Sequence, residues 1–257
     1  MPRPIPPPKD PGADYVPSQA GFTQPAPGEV ALYRWELAVP EDALARLQQI
    51  LSQEERQRAD ALVNDRVRMA FVAARAGLRQ ALGATTGQTP ESIKLEYTAN
   101  GKPQLAGKQP LHFNLAHSGG VALLAIASEP VGVDLEMHRG VTNEAGLVER
   151  WFSVAERRRY EVCPPAERRA LFFCLWTGKE AVLKLHGGAV GESLREIQPP
   201  TDAQQGQVEP TRDTPQACWV TRLELGEGWS AAVASHSKLS TAPVVRSASL
   251  PELLKDD

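Results

Sequence analysis

The sequence predicts an α+β fold made of two similar halves related by a pseudo-twofold, with the active site in the cleft between them. Three observations predict it. Strand-like and helix-like stretches are interspersed along the whole chain. The second part of the chain repeats the first at a near-constant offset. The 257 residues suffice for one large domain or two small ones with a substantial core. The repeat is clearest at Ser52-Gln53-Glu54-Glu55-Arg56 and Ser153-Val154-Ala155-Glu156-Arg157, an S-x-x-E-R pattern recurring at an offset of 101 residues. At that offset Phe71 meets Phe172, Gly77 meets Gly178 and Leu82 meets Leu183, while Gly119 to Ser128 resembles Gly226 to Ser235 at an offset of 107. Arg34 and Glu36 lie 100 residues before Asp134 and Glu136. A sustained offset is the mark of a duplicated unit, and the junction of two such units is a common ligand site.

The elements follow in order. Residues 1–28, rich in Pro and Gly, read as a flexible arm. Residues 29–128 form the expected first half, 129–240 the second, and 241–257 a loose tail with at most one helical turn. Tyr33 to Val39 alternates as a half-buried strand, and Glu41 to Leu51 is a short helix. Ser52 and Glu55 fit a capping box opening a helix to Leu82, with a break near Asn64 and a stop at Gly83. Strands are expected over Ile93–Tyr97, Leu111–Asn114, Val121–Ala127 and Val131–Met137, with a tight turn at Asn100-Gly101. Pro164-Pro165 can start a helix running to about His186, before Gly187-Gly188. Residues 201–216 read as an insertion loop.

Composition narrows the function classes. A net charge of −3 offers no global basic field for nucleic acid. The longest apolar run, Val121 to Ala127, is strand-sized, so no membrane span is expected. Cys163, Cys174 and Cys218 form no CxxC pair, which argues against a zinc site or a disulfide framework. No apolar segment typical of a secretory signal lies near the N-terminus, and a cytoplasmic location is the expectation.

Two stretches carry chemistry. In Gly132-Val133-Asp134-Leu135-Glu136, the period-two alternation of a strand puts Asp134 and Glu136 on one face, about 7 Å apart. Carboxylates so placed repel unless a cation joins them, and a hard divalent ion such as Mg²⁺ takes oxygen ligands of this kind. The plainer alternative is an edge strand with two solvated acids. In Trp176-Thr177-Gly178-Lys179-Glu180-Ala181-Val182-Leu183-Lys184, Glu180 and Lys184 are i,i+4 neighbours on a helix amid apolar residues. That pattern fits a partly buried carboxylate with a metal, a proton or a tight partner.

Gly-x-Asp-x-Glu followed about 40 residues later by Trp-Thr-x-Lys-Glu-Ala-x-x-Lys resembles the Sfp-type 4′-phosphopantetheinyl transferases over roughly residues 30 to 236. The resemblance implies transfer of the 4′-phosphopantetheine arm of coenzyme A to a serine of an apo acyl or peptidyl carrier protein. Mg²⁺ would be the cofactor, and 3′,5′-adenosine diphosphate the other product. It implies that Asp134, Glu136 and Glu180 hold Mg²⁺, that Glu180 is the base, and that Lys184 sits on the phosphate. Lys179 falls on a basic position that helps hold the phosphate or the structure. Asn100-Gly101-Lys102-Pro103 looks like a Gly-Lys-Pro motif whose Lys contacts coenzyme A. Phe113 to Ser118 looks like an Asn-x-Ser-His-Ser motif whose His, here His117, touches the diphosphate, with Ala116 in place of the usual Ser. Arg75 and Arg58 match positions gripping the nucleotide 3′-phosphate, whereas Glu55 stands where a lysine is often found.

From the residues alone, alternatives stay open: the arginines as a solvated helix face, Lys102 as a solvent lysine, His117 as a structural histidine. At the level of function, the alternatives are a Mg²⁺-dependent phosphodiester or nucleotide hydrolase, and an inactive module binding carrier protein or coenzyme A. The duplicated chain is expected to act as a monomeric pseudo-dimer. Trp151 to Arg169, with Trp151 and Phe152 beside Arg157, Arg158, Arg159, Arg168 and Arg169, is the expected docking segment for an acidic carrier helix.

Overall fold

The computed structural model describes residues 22–107, 110–188 and 192–250. Residues 1–21 of the expected arm and residues 251–257 of the expected tail lie outside the described residues.

Two four-stranded sheets repeat one plan. In the first half, β1 (Val30–Glu36) is followed by helices α1 (Glu41–Gln49), α2 (Gln53–Asp60) and α3 (Asp65–Thr86). The small hairpin of β2 (Leu95–Tyr97) and β3 (Pro103–Leu105) comes next, then β4 (His112–Ser118) and β5 (Val121–Ala127). In the second half, β6 (Val131–Met137) is followed by α4 (Glu144–Trp151), α5 (Val154–Val162) and α6 (Arg168–His186), then β7 (Gln205–Val208), β8 (Cys218–Leu223) and β9 (Trp229–Ser235). A final strand, β10 (Val245–Ser247), pairs with β1. The sheets are ordered β10-β1-β5-β4 and β6-β9-β8-β7, so in each half the first strand lies beside the last strand of the repeat, which lies beside the one before it.

The capping boxes are present in both halves. Ser52 Oγ accepts from the Glu55 amide and the Glu55 carboxylate accepts from the Ser52 amide, and Ser153 and Glu156 do the same for α5. Both glutamates are buried, and each is neutralised by cations from the following long helix. Arg75 and Arg79 reach Glu55 at 2.6 and 2.5 Å, and Lys179 reaches Glu156 at 2.9 Å. A buried carboxylate without such a partner would be costly, so the repeated device locks helix to helix.

Several boundaries differ from the sequence expectation. Helix α3 runs through Gly83 to Thr86, and Gly87 ends it with φ +70°. Gly83 serves close approach instead: a Cβ there would lie 2.7 Å from the Gln88 carbonyl oxygen. Helix α6 starts at Arg168, after a turn through Pro164 and Pro165. The expected insertion loop contains β7, paired with β8. The expected loose tail adds β10 in parallel to β1 and buries Leu250 in the first core. The sheet registers set Arg34 opposite Leu123 and Glu136 opposite Ser230. With β5 matched to β9 at an offset of 107, Arg34 corresponds to Glu136, an offset of 102 rather than 100.

Helix α6 packs on β6 and β9, and one glycine permits the contact. A Cβ on Gly132 would come within 2.9 Å of Leu185 Cα and closer still to the Ala181 carbonyl and the Leu185 amide. The glycine two residues before Asp134 thus brings the acid strand against the backbone of the helix carrying Glu180 and Lys184.

Candidate active site

Where β6 meets α6, Asp134 is buried, with its Oδ1 accepting from Lys184 Nζ at 2.6 Å. Its Oδ2 is buried and has no hydrogen-bond partner among the described residues. Burial pushes the Asp134 carboxyl up against the pull of the Lys184 ammonium. Glu136, near the exposed end of the strand, accepts on Oε2 from Ser118 Oγ at 2.8 Å and from Arg139 Nη1 at 2.8 Å. Glu180 is half-buried. Burial first, and then the negative charges of Asp134 and Glu136, push its carboxyl up to about 7. The three acids therefore share one field, as the alternation of β6 and the turn of α6 predict.

Among the described residues, no three His, Cys, Asp or Glu side chains are gathered closely enough to hold a metal ion as they stand. Asp134 and Glu136 are instead each drawn onto a cation, Lys184 and Arg139 respectively. The donor chemistry nonetheless fits a hard divalent ion: all three candidate ligands are carboxylates, and Asp134 Oδ2 is a buried acceptor with no donor among the described residues.

A cavity of about 750 Å³ opens on the first half, lined by α2, α3, the hairpin and the β4–β5 turn. Arg58, Arg66, Arg75 and His117 line it together with the acids Glu54 and Glu55, and Phe71, Leu115 and Val67 form part of its apolar wall. Ser118 lines it too, so the cavity reaches the residue that holds Glu136. Arg58 and Arg66 are exposed and have no carboxylate partner among the described residues, Arg58 lying 5.6 Å from the centroid of the Phe71 ring. Arg75 is different. Its Nε and Nη2 are taken by Glu55, and Nη2 also donates to the Tyr97 hydroxyl at 2.8 Å. Glu55 is thus the partner of Arg75 and the reason that arginine is less available to a ligand.

Two lysines of the expected site are engaged by backbone carbonyls. Lys102 Nζ donates to the carbonyl oxygens of Val131 (3.1 Å), Lys184 (2.6 Å) and Leu185 (3.2 Å), while Gly101 and Pro103 beside it line the cavity. It caps the last turn of α6, where a cation is favoured, and burial pushes its ammonium down to about 8. Lys179 is fully buried and donates to Leu194 O at 3.0 Å and Ile197 O at 2.5 Å besides its pair with Glu156, so it holds structure rather than phosphate. Ala116 is buried in the apolar cluster that contains Val133 and Leu135, on the strand face opposite His117, so the missing hydroxyl takes nothing from the cavity. In the expected docking segment Phe152 is fully buried core and Trp151 half-buried beneath Arg150. Arg159 is held by Asp202, and Arg168 by the carbonyls of Cys163 and Glu161. Arg158 and Arg169 are exposed.

Sequence reasoning missed the roles of Asn114, Ser118 and Arg139. The first two lie inside a motif it quoted. What they touch depends on β4 lying against β6, which no local pattern encodes.

A cavity carrying unpaired arginines beside a cluster of acids suits a ligand that bears both phosphate and a divalent cation. Comparison with known proteins agrees. Residues 34–130 match the family model described as the N-terminal region of 4′-phosphopantetheinyl transferase, and residues 130–234 match that of the 4′-phosphopantetheinyl transferase superfamily. The chain is 36% identical over 174 residues to the 4′-phosphopantetheinyl transferase HetI of Nostoc sp., a match covering 66% of this chain and 73% of that protein. It is 38% identical over 112 residues to the 4′-phosphopantetheinyl transferase AcpT of Escherichia coli (43% of this chain, 56% of AcpT). Over 104 residues it is 36% identical to the 4′-phosphopantetheinyl transferase psf-1 of Bacillus pumilus (40% and 44%). The chain belongs to the 4′-phosphopantetheinyl transferase superfamily.

Proposed function

We propose that this enzyme transfers the 4′-phosphopantetheine arm of coenzyme A to a serine of an apo carrier protein, with Mg²⁺ held by Asp134, Glu136 and Glu180. The observation that carries the reading is the unpartnered, buried Asp134 Oδ2 beside Lys184, in the same field as a Glu180 raised to about 7. Arg58, Arg66 and His117 bind the nucleotide phosphates in the first-half cavity, while Arg75, held by Glu55 and Tyr97, fixes α3 against α2 beside them. Lys184 exchanges its contact with Asp134 for a diphosphate oxygen. Mg²⁺, when bound, neutralises the charge that develops on the diphosphate. Glu180 takes the proton from the carrier serine as its oxygen forms a bond to the β-phosphorus, and the bond from that phosphorus to the bridging oxygen breaks, releasing 3′,5′-adenosine diphosphate. Positioning and charge neutralisation dominate such a transfer, and the protein needs to form no covalent bond itself. Exposed Arg158 and Arg169, with Val154 and Val162 exposed on α5, support docking of an acidic carrier helix on this side of the second half.

The test is release of 3′,5′-adenosine diphosphate from coenzyme A, measured with and without apo carrier protein. Release that requires the carrier is the expected result. Release at the same rate without it would mean hydrolysis.

A further inference from the structure

Strands β4 and β6 belong to different sheets and share no backbone ladder. Two side chains take the place of one. Asn114 Oδ1 accepts from the Val133 amide at 2.8 Å, and Ser118 Oγ accepts from the Met137 amide at 3.2 Å. Both links join residues 19 apart in sequence, and both are spaced by four residues on each strand. The segment they bracket, Val133 to Met137, contains Asp134 and Glu136. The Ser118 hydroxyl also donates to Glu136 Oε2 at 2.8 Å, while Arg139 Nη1 reaches that oxygen at 2.8 Å and Ser118 Oγ at 3.4 Å.

Alternation along β4 separates two tasks. Leu115 and His117 line the cavity, whereas Asn114 and Ala116 are buried toward the second half. Ser118, at the end, does both. Asn114 keeps its acceptor for a single strand amide in a buried setting, where an unmade bond is costly.

We infer that Asn114 and Ser118 are positioning residues: they clamp β6 from the first half, and Ser118 orients the Glu136 carboxylate toward the metal. One strand would then contact the nucleotide with one face and set the acids with the other. The inference rests on the reading that these acids hold the divalent ion. Hydrogen-bonded partners of metal-binding carboxylates are worth about 10- to 100-fold in metal affinity or activity.

The test uses the full chain and Mn²⁺ alone as the probe, with free Mn²⁺ read by electron paramagnetic resonance and thermal unfolding recorded in parallel. Asp134→Ala is expected to lose Mn²⁺ binding. Ser118→Ala should weaken it by about 10-fold with unfolding little changed. Ser118→Thr, which keeps the hydroxyl, should bind within about threefold of the natural protein, and Ser118→Val, matched to it in size, should behave like Ser118→Ala. In steady-state transfer the Ala and Val variants should lose kcat more than they raise KM for coenzyme A. If Asp134→Ala loses Mn²⁺ while Ser118→Ala and Ser118→Val bind it as the natural protein does, or if Thr and Val weaken it equally, the positioning role is overturned. If Asp134→Ala still binds Mn²⁺, the metal reading itself fails.

Discussion

Arg58 and Arg75 lie in the same cavity, but their partners differ. The Arg75 fork is committed to Glu55 and Tyr97, whereas Arg58 lies over the Phe71 ring and has no carboxylate partner among the described residues. A charged guanidinium already neutralised by a buried carboxylate adds less to a phosphate than one facing solvent. Arg58→Ala is therefore expected to raise KM for coenzyme A by roughly tenfold, with a much smaller effect for 3′-dephospho-coenzyme A. Arg75→Ala should affect the two ligands alike, because its loss acts through the helix packing around Glu55. Steady-state kinetics with both donors checks this. A larger discrimination in Arg75→Ala than in Arg58→Ala would reverse the assignment. The sequence placed both arginines on one helical region and identified Glu55 as unusual. That Glu55 grips Arg75 needed the fold, because the two residues are 20 apart on different helices.

At the scale of elements, the contact between β6 and α6 organises the site. The stretch Gly132 to Glu136 was readable as a strand with two acids on one face because alternation is a local property. The role of Gly132 was not readable, since it depends on where the α6 backbone passes. Gly132→Ala forces strand and helix apart and is expected to lower stability by about 1–3 kcal/mol, seen as a lower urea midpoint at unchanged slope. It should also reduce transfer more than it weakens coenzyme A binding, because it separates Asp134 from Glu180. Wild-type stability in that variant would mean the contact is loose.

The end of α6 carries a second test. The His186 ring lies 5.3 Å from that of His236, near Lys102, and burial with these two neighbours pushes it down from 6.5 to about 4. Its pKa in the folded state is thus below its unfolded value. Between those values the unfolded chain binds more protons, so the contribution is full above about 6.5 and is lost as pH falls toward 4. Urea midpoints from pH 7 to 4.5 should fall less steeply in His186→Gln than in the natural protein. Parallel slopes would show that His186 titrates normally.

At the scale of the molecule, the duplication was legible because Ser52 and Ser153 begin helices by the same local mechanism, and a capping box needs only four residues to declare itself. The links between the halves were not legible. Lys102 on α6, Asn100 Nδ2 on the Gly187 carbonyl at 2.7 Å, and Asn114 and Ser118 on β6 all cross from one half to the other. None has a periodicity, and a polar residue in a turn or strand looks alike whether it meets water or another domain. β10 escaped for the same reason, since three residues pairing with a strand some 210 positions earlier leave no local trace.

If the acids on β6 and α6 drive transfer to a carrier serine, removing one of them must stop it, which is read from the intact mass of several apo carrier proteins after incubation with coenzyme A, Mg²⁺ and either the natural chain or Asp134→Ala. At least one carrier should gain a single phosphopantetheine with the natural chain, and the initial rate with Asp134→Ala should be lower by at least ~10²-fold, the scale of losing one preorganised charge-stabilising group. Modification at a comparable rate by Asp134→Ala at saturating Mg²⁺ would mean that these acids do not drive the reaction.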